Sequence, residues 1–339
     1  MQLGALDMPF KKLVVDKNSS GEKRRVGFEF EFGGVEIHRA AKCVQDLFGG
    51  ELESESRFEH KCKSNLGEFG IKIDADMIVE LKHRDFFDEL GIEFKGSGVG
   101  EWIEEMIEKS ALIFVPCEVV TPPIEYEDFE KIESLRIELE NIGAQGTFTN
   151  LHHAFGLHIN VESPNLEAKT LLNYLRAYLL MQEFIKEVSE IDLARRITPY
   201  IDPFPPEYIR EVLDIDFRPS LKELMEHYFR FNPTRNRDFD MTPIFGVVDI
   251  ELTKASIKEP ELLKPRPAYH YRLPNCAMGE DDWSVELEWN RFVLIEELAN
   301  SHNSISQLII EYKKIEEGSI FGKKGKKVDM IKEYLSRKS

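Results

Sequence analysis

The chain has 339 residues and 42% of them are hydrophobic, which is enough for a buried core in one large domain or two moderate ones. A formal net charge of −18 argues against binding to nucleic acid or anionic membranes, because a polyanion gains nothing from meeting another one. The cysteines are widely spaced, and the sequence has neither a signal-peptide core nor a membrane-length apolar run, so we expect a cytoplasmic protein without a disulfide framework.

Residues 1–25 are predicted to form an irregular N-terminal arm, and the first strand follows as VGFEFEF over residues 26–32. Alternate side chains of a strand share a face, so its three phenylalanines project to one side and Glu29 and Glu31 to the other. Two acids on a solvent-exposed face of a sheet do not require a function. Judged from this strand by itself, an ordinary solvated face therefore stays open as the alternative. Because the paired carboxylates repel each other without a cation, replacing either by glutamine is expected to be neutral or slightly stabilising.

The later elements follow from alternation and from the helical spacing of apolar residues. Antiparallel strands are predicted in RFEHKCK, FGIKIDADM, IVELKH, VPCEVVTPP and AFGLHINVES, and around 267–273 and 283–289. Helices are predicted in HRDFFDELG, over 36–48, 101–113, 125–142, 206–213 and 219–230, from Pro164 onward, and in one segment from Phe292 to Tyr312. The proline-interrupted region 190–265 is predicted to be largely irregular and to cover a site, and the basic GKKGKK joins a short C-terminal helix.

Polar residues recur on one face of several predicted strands. In IKIDAD, CEVV, GLHINVES and SVELEW, polar side chains alternate with apolar ones, as they do in the first strand. The polar members are Lys72, Asp74, Asp76, Glu118, His158, Asn160, Glu162, Ser284, Glu286 and Glu288. One face of the sheet is therefore predicted to be apolar and covered by helices, and the opposite face to be rich in carboxylates.

A carboxylate-rich sheet face is typical of a site for a divalent cation. Like charges on neighbouring strands repel, and a cation among them offsets this repulsion. Mg²⁺ takes oxygen ligands and combines a few protein carboxylates with substrate phosphates and water. A face carrying Glu29, Glu31 and Glu118 would therefore suit a magnesium-bound nucleotide. Zinc is less favoured, because the histidines of NLHHAFGLH come without cysteines or the H-E-x-x-H spacing.

Five segments carry a resemblance to a known family. VGFEFEF, CEVVTPP, GLHINV, YHYRLPN and SVELEWNRF occur in the order found in the amidoligase family, whose relatives include glutamate-cysteine ligase and, more distantly, glutamine synthetase. The chain resembles this family over roughly residues 26–300. The resemblance implies an α+β fold with a curved antiparallel β-sheet, helices packed on one face, and an acidic concave active-site face. It divides the chain into the arm, an amidoligase-like catalytic domain over 26–317, and a basic linker with a C-terminal helix over 318–339.

The resemblance also implies an activity, that of an ATP-dependent carboxylate-amine ligase. Such an enzyme forms an amide or peptide bond through an acylphosphate, with ATP and Mg²⁺ as cofactors and a small-molecule or peptide carboxylate and an amine as substrates. By this likeness Glu29, Glu31 and Glu118 would be the magnesium ligands. Catalytic roles would fall to Arg272, Glu286 and His158, and nucleotide contacts to Lys72, Arg235 and Arg237.

One residue departs from the family pattern. Glu286 matches the glutamate of the family's T-[VI]-E-F-R strand, but Glu288 stands where that strand has its arginine. Another arginine would then have to stabilise the transferring phosphoryl group, with Arg235, Arg237, Arg272 and Arg291 as candidates. Arg272 is preferred, because YHYRLPN matches a family position. Two alternatives stay open: a phosphotransferase of related fold, and a non-catalytic nucleotide- or metal-binding relative, which Glu288 favours. The oligomeric state does not follow from the sequence.

Overall fold

The computed structural model describes residues 9–74, 78, 95–96, 98–108, 115–146, 155–189, 202–318 and 322–338. Within these residues the protein is an α+β structure built on an open, antiparallel, eight-stranded sheet in the order β2-β3-β4-β5-β1-β6-β8-β7. The strands are β1 (Val26–Phe32), β2 (Glu51–Ser56), β3 (Glu59–Ser64), β4 (Gly67–Ile73), β5 (Cys117–Val120), β6 (Leu157–Glu162), β7 (Phe239–Asp240) and β8 (Ala268–Tyr271).

The described α-helices lie between and after the strands. They are α1 (Ile37–Phe48), α2 (Val99–Glu108), α3 (Phe129–Asn141), α4 (Ala168–Val188), α5 (Pro206–Val212), α6 (Leu221–Phe231), α7 (Thr242–Val248), α8 (Ile250–Ser256), α9 (Val285–Ala299), α10 (His302–Glu317) and α11 (Lys323–Ser336). Short 3-10 helices occupy Tyr126–Asp128 and Pro260–Leu262.

The central strand β1 packs its aromatic face against the helices. It pairs with β5 on one side and β6 on the other, and its three phenylalanines are fully buried. Phe28 lies edge-on to Phe129 of α3, with ring centroids 5.3 Å apart, and 6.5 Å from Trp289 of α9. The alternation of VGFEFEF therefore predicted the core face of this strand correctly.

The long helix α4 covers the other half of the sheet through stacked aromatic rings. Tyr174 stacks on Tyr269 of β8 with ring centroids 4.6 Å apart, and Tyr178 stacks on Phe239 of β7 at 4.8 Å. All residues of the short strands β7 and β8 are buried.

The predicted strand over 283–289 is wrong, because the chain is helical from Val285 onward. Ser284 caps this helix by accepting a hydrogen bond from the Leu287 N–H at 3.2 Å. The buried positions that follow have the three-and-four spacing of a helix. Six alternating residues are too few to distinguish a strand from the first turns of a buried helix.

Other boundaries also differ from the predictions. The single helix predicted from Phe292 to Tyr312 is two helices, α9 and α10, separated at Asn300 and Ser301. Strand β2 was not predicted, because ELESES has no apolar face, and its acids instead pair with lysines of β3. The region 202–265 contains two helices more than predicted, α7 and α8, and most of GKKGKK belongs to α11. The predictions for HRDFFDELG and for all but the first residue of IVELKH lie outside the described residues.

The described part of the N-terminal arm is anchored to α9. The Lys11 N–H donates to Asn290 Oδ1 at 2.8 Å, and the Trp289 indole N–H donates to the Lys11 carbonyl at 2.7 Å. Arg24 forms an ion pair with Glu296 at 2.8 Å, and both side chains are completely buried. Because a buried charge without its partner is costly, we infer that this segment folds together with the domain.

Two further expectations concern disulfide bonds and membrane-spanning helices. All four cysteines are free and buried, which confirms that no disulfide framework supports the fold. Within the described ranges, no helix has both the length and the apolar run needed to cross a bilayer.

Candidate active site

The candidate active site lies on the face of the sheet opposite to the buried phenylalanines. Glu29 and Glu31 both contact His158 of β6: Glu29 Oε2 lies 3.2 Å from Nδ1, and Glu31 Oε1 lies 3.3 Å from Nε2. Glu118 of β5 stands opposite Glu31 in the strand register. The structure therefore confirms that Glu29 and Glu31 project to the same face, where strand pairing brings the other two residues beside them.

Strand register extends this group in both directions. Lys72 of β4 stands opposite Glu118, and Asn160 of β6 stands opposite His270 of β8. The resulting polar row crosses five strands and consists of Lys72, Glu118, Glu31, Glu29, His158, Asn160 and His270. Arg266, from the segment before β8, lies against it, 3.7 Å from Glu29. The row thus mixes acids with cationic, imidazole and amide groups, whereas the sequence predicted a mainly acidic face.

Glu29 is held in its ionised form by its neighbours. Its Oε1 accepts a hydrogen bond from Asn160 Nδ2 at 2.7 Å, and its side chain is only 16% exposed. Burial alone would raise the pKa of Glu29, but its interactions with His270, His158 and Arg266 outweigh burial and hold the pKa well below its ordinary value. A charged carboxylate therefore sits at the centre of the row.

Glu118 has the opposite electrostatic character. Burial raises the pKa of Glu118 to about 7; Lys72 opposes this shift, and the nearby charges of Glu29 and Asp74 add to it. Lys72 Nζ lies 2.7 Å from Glu118 Oε2, and although burial works against its charge, Glu118 raises the pKa of Lys72 above its ordinary value. At the end of the row formed by β4 and β5, the Lys72 ammonium thus faces the Glu118 carboxyl group, which titrates at about pH 7.

Three residues at the other end of the row form a hydrogen-bonded group. Asn160 Oδ1 accepts from Arg266 Nε at 3.1 Å and from a terminal nitrogen of Arg266 at 2.6 Å, and it also lies 2.6 Å from His270 Nδ1. Burial, together with the positive charges of Arg272 and Arg266, holds the pKa of His270 well below its ordinary value. The surroundings of His270 therefore favour its neutral form. The sequence alone predicts no site role for these three residues, because only strand register brings Asn160 and His270 together.

Arg272 lies next to this end of the row. It follows β8, and its backbone N–H donates to the Asp238 carbonyl at 3.0 Å. Burial raises the pKa of Asp240 of β7, which is paired in register with His270, and the charge of Arg272 opposes that shift. The charge of Arg272, the arginine preferred from the sequence, thus acts on His270 of the row, as the charge of Arg266 does.

Arg235 and Arg237, predicted to contact nucleotide, contact backbone carbonyls of the segment between β6 and β8, and Arg235 also lies 3.9 Å from Glu259. Arg237 donates to the carbonyls of Pro203 at 2.5 Å and Phe231 at 3.3 Å, and Arg235 donates to the Leu262 carbonyl at 3.0 Å. These contacts stabilise the segment between β6 and β8. Their proposed role toward nucleotide stays a prediction.

Glu286 and Glu288 belong to the helical layer. Burial and its neighbour Glu133 of α3 raise the pKa of Glu286 to about 7. Glu288 is 1% exposed and forms an ion pair with Arg291 at 2.5 Å. The sequence placed both glutamates on a strand of the acidic face, and that placement is wrong, because their helix packs on the apolar side through Trp289. The predicted Asp76, and the two histidines before Ala154, lie outside the described residues.

Replacing Glu286 by glutamine is expected to stabilise the protein above neutral pH. The folded-state pKa is about 7, above the ordinary 4.5, so the wild type loses stability as pH rises from about 4.5 to about 7 and does not regain it. Glutamine removes that loss, and we expect a gain of roughly 1 kcal/mol at pH 8, reduced by the partial exposure of the side chain.

Urea unfolding of both proteins at about pH 5 and pH 8 measures the effect of this substitution. Equal free energies of unfolding at the higher pH would contradict it. The turnover of the same variant tests the catalytic role predicted for Glu286.

One group in the row is compact enough to share a metal ion. Within the described residues, one ligand atom each from Glu29, His158 and His270 lie within 4.8 Å of one another. The magnesium ligands predicted from the sequence share only Glu29 with this group. The predicted ligand Glu118 is instead engaged with Lys72.

The family model of the putative amidoligase enzymes matches residues 22–294, which is most of the chain. The chain belongs to the amidoligase family. No curated protein and no solved structure matches it.

The matched range of this amidoligase contains the whole polar row. It begins just before β1 and ends within α9, so it covers all eight described strands and leaves out α10 and α11. Family membership supports a ligase-type enzyme, and the resemblance inferred from five short motifs is confirmed.

Proposed function

We propose that this amidoligase is an ATP- and Mg²⁺-dependent carboxylate-amine ligase that forms an amide or peptide bond through an acylphosphate. The observation that carries the proposal is the polar row, in which three glutamates lie among cationic side chains on the central strands of the sheet. Binding of magnesium and phosphate at one place calls for carboxylates and cations side by side.

The residues of the row fit a magnesium ion. Glu29, Glu31 and Glu118 offer the oxygen ligands that Mg²⁺ prefers. The raised pKa of Glu118 means that its negative charge is poorly compensated in the protein alone, and a divalent cation would favour its ionised form. When bound, Mg²⁺ would supply neutralisation of the phosphate charge.

The reaction consists of two displacements. A carboxylate oxygen of the acid substrate attacks the γ-phosphorus of ATP, and the bond to ADP breaks. The amine nitrogen then attacks the acyl carbon, phosphate leaves with the bonding electrons, and the nitrogen gives up a proton. Neither step needs a covalent bond to the enzyme, so the contribution of the protein is positioning and charge stabilisation.

The residues of the row divide between these tasks. Lys72, at one end, is the predicted nucleotide contact that lies in the site, and its cation suits a phosphate oxygen. Arg272, at the other end, suits the transferring phosphoryl group because a guanidinium binds two phosphate oxygens at once. His158 stands between Glu29 and Glu31, where it orients both carboxylates.

The feature that favoured a non-catalytic relative no longer applies. The sequence predicts Glu288 in place of a catalytic arginine on a strand of the sheet, but Glu288 lies in α9 and pairs with Arg291. A phosphotransferase would use the same row, and it differs from a ligase in its product rather than in any described residue.

An isotope experiment separates these functions. The protein would be incubated with ATP, Mg²⁺, hydroxylamine as a general amine, and a panel of amino acids and small peptides labelled with ¹⁸O in their carboxylates. A ligase is expected to form a hydroxamate and to transfer one ¹⁸O atom to the released phosphate. A stable phosphorylated acceptor would indicate the phosphotransferase instead. ADP release without any ¹⁸O transfer would overturn the acylphosphate route.

Replacing Arg272 by lysine is expected to lower turnover about 100-fold while leaving the fold intact, because a lysine point charge does not reproduce the planar fork of a guanidinium. The rate of ADP release and the circular dichroism spectrum measure the two effects. Arg210→Lys is the matched control, since Arg210 is exposed and pairs only weakly with Glu207 at 3.4 Å. Wild-type turnover in Arg272→Lys would leave Arg272 with a structural role.

A further inference from the structure

We infer that Gly146 is a positioning residue, which holds the Glu31 carboxylate in the candidate active site through a closed circuit of backbone hydrogen bonds. The circuit joins four segments at one end of the central strand β1, namely residues 31–33, 145–146, 155–156 and 276–278. The positioning of Glu31 can be measured on the protein alone, whereas its effect on turnover rests on the ligase function proposed above.

Glu31 contacts Gly156 through both its backbone and its side chain. The Glu31 N–H donates to the Gly156 carbonyl at 3.0 Å, and Glu31 Oε2 accepts from the Gly156 N–H at 2.6 Å. The other carboxylate oxygen, Oε1, lies 3.3 Å from His158 Nε2. Because a charge-assisted hydrogen bond to the backbone holds one oxygen, the position of Gly156 decides where the carboxylate lies.

The position of Gly156 depends in turn on the segment between β8 and α9. The Cys276 N–H donates at 3.0 Å to the carbonyl of Phe155, the residue that precedes Gly156. Two residues further along the same segment, the Met278 carbonyl accepts from the Gly146 N–H at 2.9 Å. The segment therefore links Gly156 to Gly146.

The circuit closes because the residue before Gly146 pairs with the end of β1. Gln145 and Gly33 exchange two backbone hydrogen bonds, each of 3.0 Å, and Gly33 lies two residues after Glu31. Each of these backbone groups has its partner in another segment of the circuit. Moving one segment therefore breaks hydrogen bonds in its neighbours, which is costly for backbone groups away from water.

Gly146 is the position in the circuit where a side chain does not fit. A Cβ atom there would lie 2.1 Å from the Cys276 carbonyl oxygen and 2.4 Å from the Met278 backbone nitrogen. Both contacts are with backbone, so no side-chain rotation relieves them, and the segment that carries these atoms would have to shift. The missing side chain of Gly146 thus permits the close approach that places Gly156 and, through it, Glu31.

The circuit is also held from the helical layer. Glu140 of α3 accepts from the Gly279 N–H at 3.0 Å, and Arg136 of the same helix forms an ion pair with Glu140 at 2.6 Å. This helix packs on the face of the sheet opposite to the polar row. A side chain on one face of the sheet therefore acts on the position of a carboxylate on the other.

The test replaces Gly146 by alanine and observes His158 in metal-free protein without ATP. Labelling with ¹⁵N-histidine gives an Nε2 resonance for His158, identified by its loss in His158→Gln, and this nitrogen reports the contact with Glu31. We expect the resonance to shift in Gly146→Ala. We also expect ADP release at saturating Mg²⁺ and ATP to be about 10- to 100-fold slower, because small misplacements of site groups have effects of this size. An unchanged resonance in the folded variant, or wild-type turnover despite a shift, would overturn the inference.

Gly50→Ala is the matched control. A Cβ atom at Gly50 would lie 2.0 Å from the Lys63 carbonyl oxygen, an equally close backbone contact, but at the outer edge of the sheet. This variant should lose stability and keep the wild-type His158 resonance and turnover. An equal shift of the resonance in both alanine variants would overturn the inference, because any local loosening would then displace Glu31.

Glu140→Ala keeps the inference testable if Gly146→Ala does not fold. It removes the acceptor of the Gly279 N–H without adding volume to the circuit, and it should shift the same resonance. Glu140→Gln retains an acceptor oxygen and should restore the wild-type spectrum. An unchanged resonance in Glu140→Ala would then overturn the inference. A shifted resonance in this variant, with no amide formed by the wild type, would overturn the ligase proposal alone.

Discussion

Replacing Glu29 by glutamine is expected to lower ATP-dependent turnover at least about 100-fold at saturating Mg²⁺ and ATP. The substitution keeps the size of the side chain but removes the charge at the centre of the polar row, where His158, Asn160 and Arg266 all contact the carboxylate. The initial rate of ADP release measures the effect. Glu51→Gln is the matched control, because Glu51 is an exposed carboxylate of the outer strand β2 of the same sheet, and its turnover should equal that of the wild type. Normal turnover in Glu29→Gln would remove Glu29 from the site.

The same variant is also expected to be less stable than the wild type at neutral pH. Repulsion between Glu29 and Glu31 suggested a neutral or slightly stabilising effect, but Glu29 has favourable partners in the structure. A carboxyl whose folded-state pKa is depressed adds stability above its unfolded pKa, and this stability disappears as pH falls through the folded pKa. The difference in free energy of unfolding between the two proteins should therefore be present near pH 7 and vanish in strong acid. A variant more stable than the wild type at pH 7 would show that repulsion dominates.

Replacing Phe28 by alanine is expected to lower the free energy of unfolding by roughly 3 to 5 kcal/mol. Its ring is fully buried between Phe129 and Trp289, on the central strand of the sheet. The alanine leaves a cavity where the sheet meets α3 and α9, and neither helix can close it without shifting the other. Guanidinium unfolding monitored by tryptophan fluorescence measures the loss.

The control for this prediction is Phe28→Leu, which keeps most of the buried volume and should lose much less stability. Equal losses in the two variants would show that the aromatic contacts, rather than the filled volume, carry the stabilisation. A loss below about 1 kcal/mol in the alanine variant would contradict the central position of this ring.

The sequence predicted the elements whose apolar pattern is long or complete. Strand β1 has three phenylalanines on one face, and α4 shows helical spacing over many residues, so both were assigned correctly. SVELEW was wrongly predicted as a strand, because its alternation lasts only six residues, and Ser284 in fact caps a helix that begins at Val285. Strand β2 shows no apolar pattern at all, since its position depends on pairing with β3 rather than on burial.

The sequence predicted those site residues whose position depends on alternation within one strand. It missed those whose position depends on the register between strands. Alternation placed Glu29, Glu31 and His158 on one face, and the structure brings them together. Arg266 and His270 join them only because β8 pairs with β6 after an excursion of about a hundred residues, whose length no local pattern specifies.

The order of the strands also constrains how a newly synthesised chain can fold. Strands β2, β3 and β4 are joined by short turns and can pair as soon as they leave the ribosome. The central strand β1 is made first, yet its partner contact from Glu29 to Asn160 spans 131 residues, and the next one, from Asn160 to His270, spans 110. Until β5 is translated, both edges of this aromatic strand are open, and one edge stays open until β6 follows; such a segment is of the kind that aggregates or binds a chaperone. We therefore expect the yield of folded protein to depend on translation speed and chaperone supply, more than it would for a sheet built in chain order.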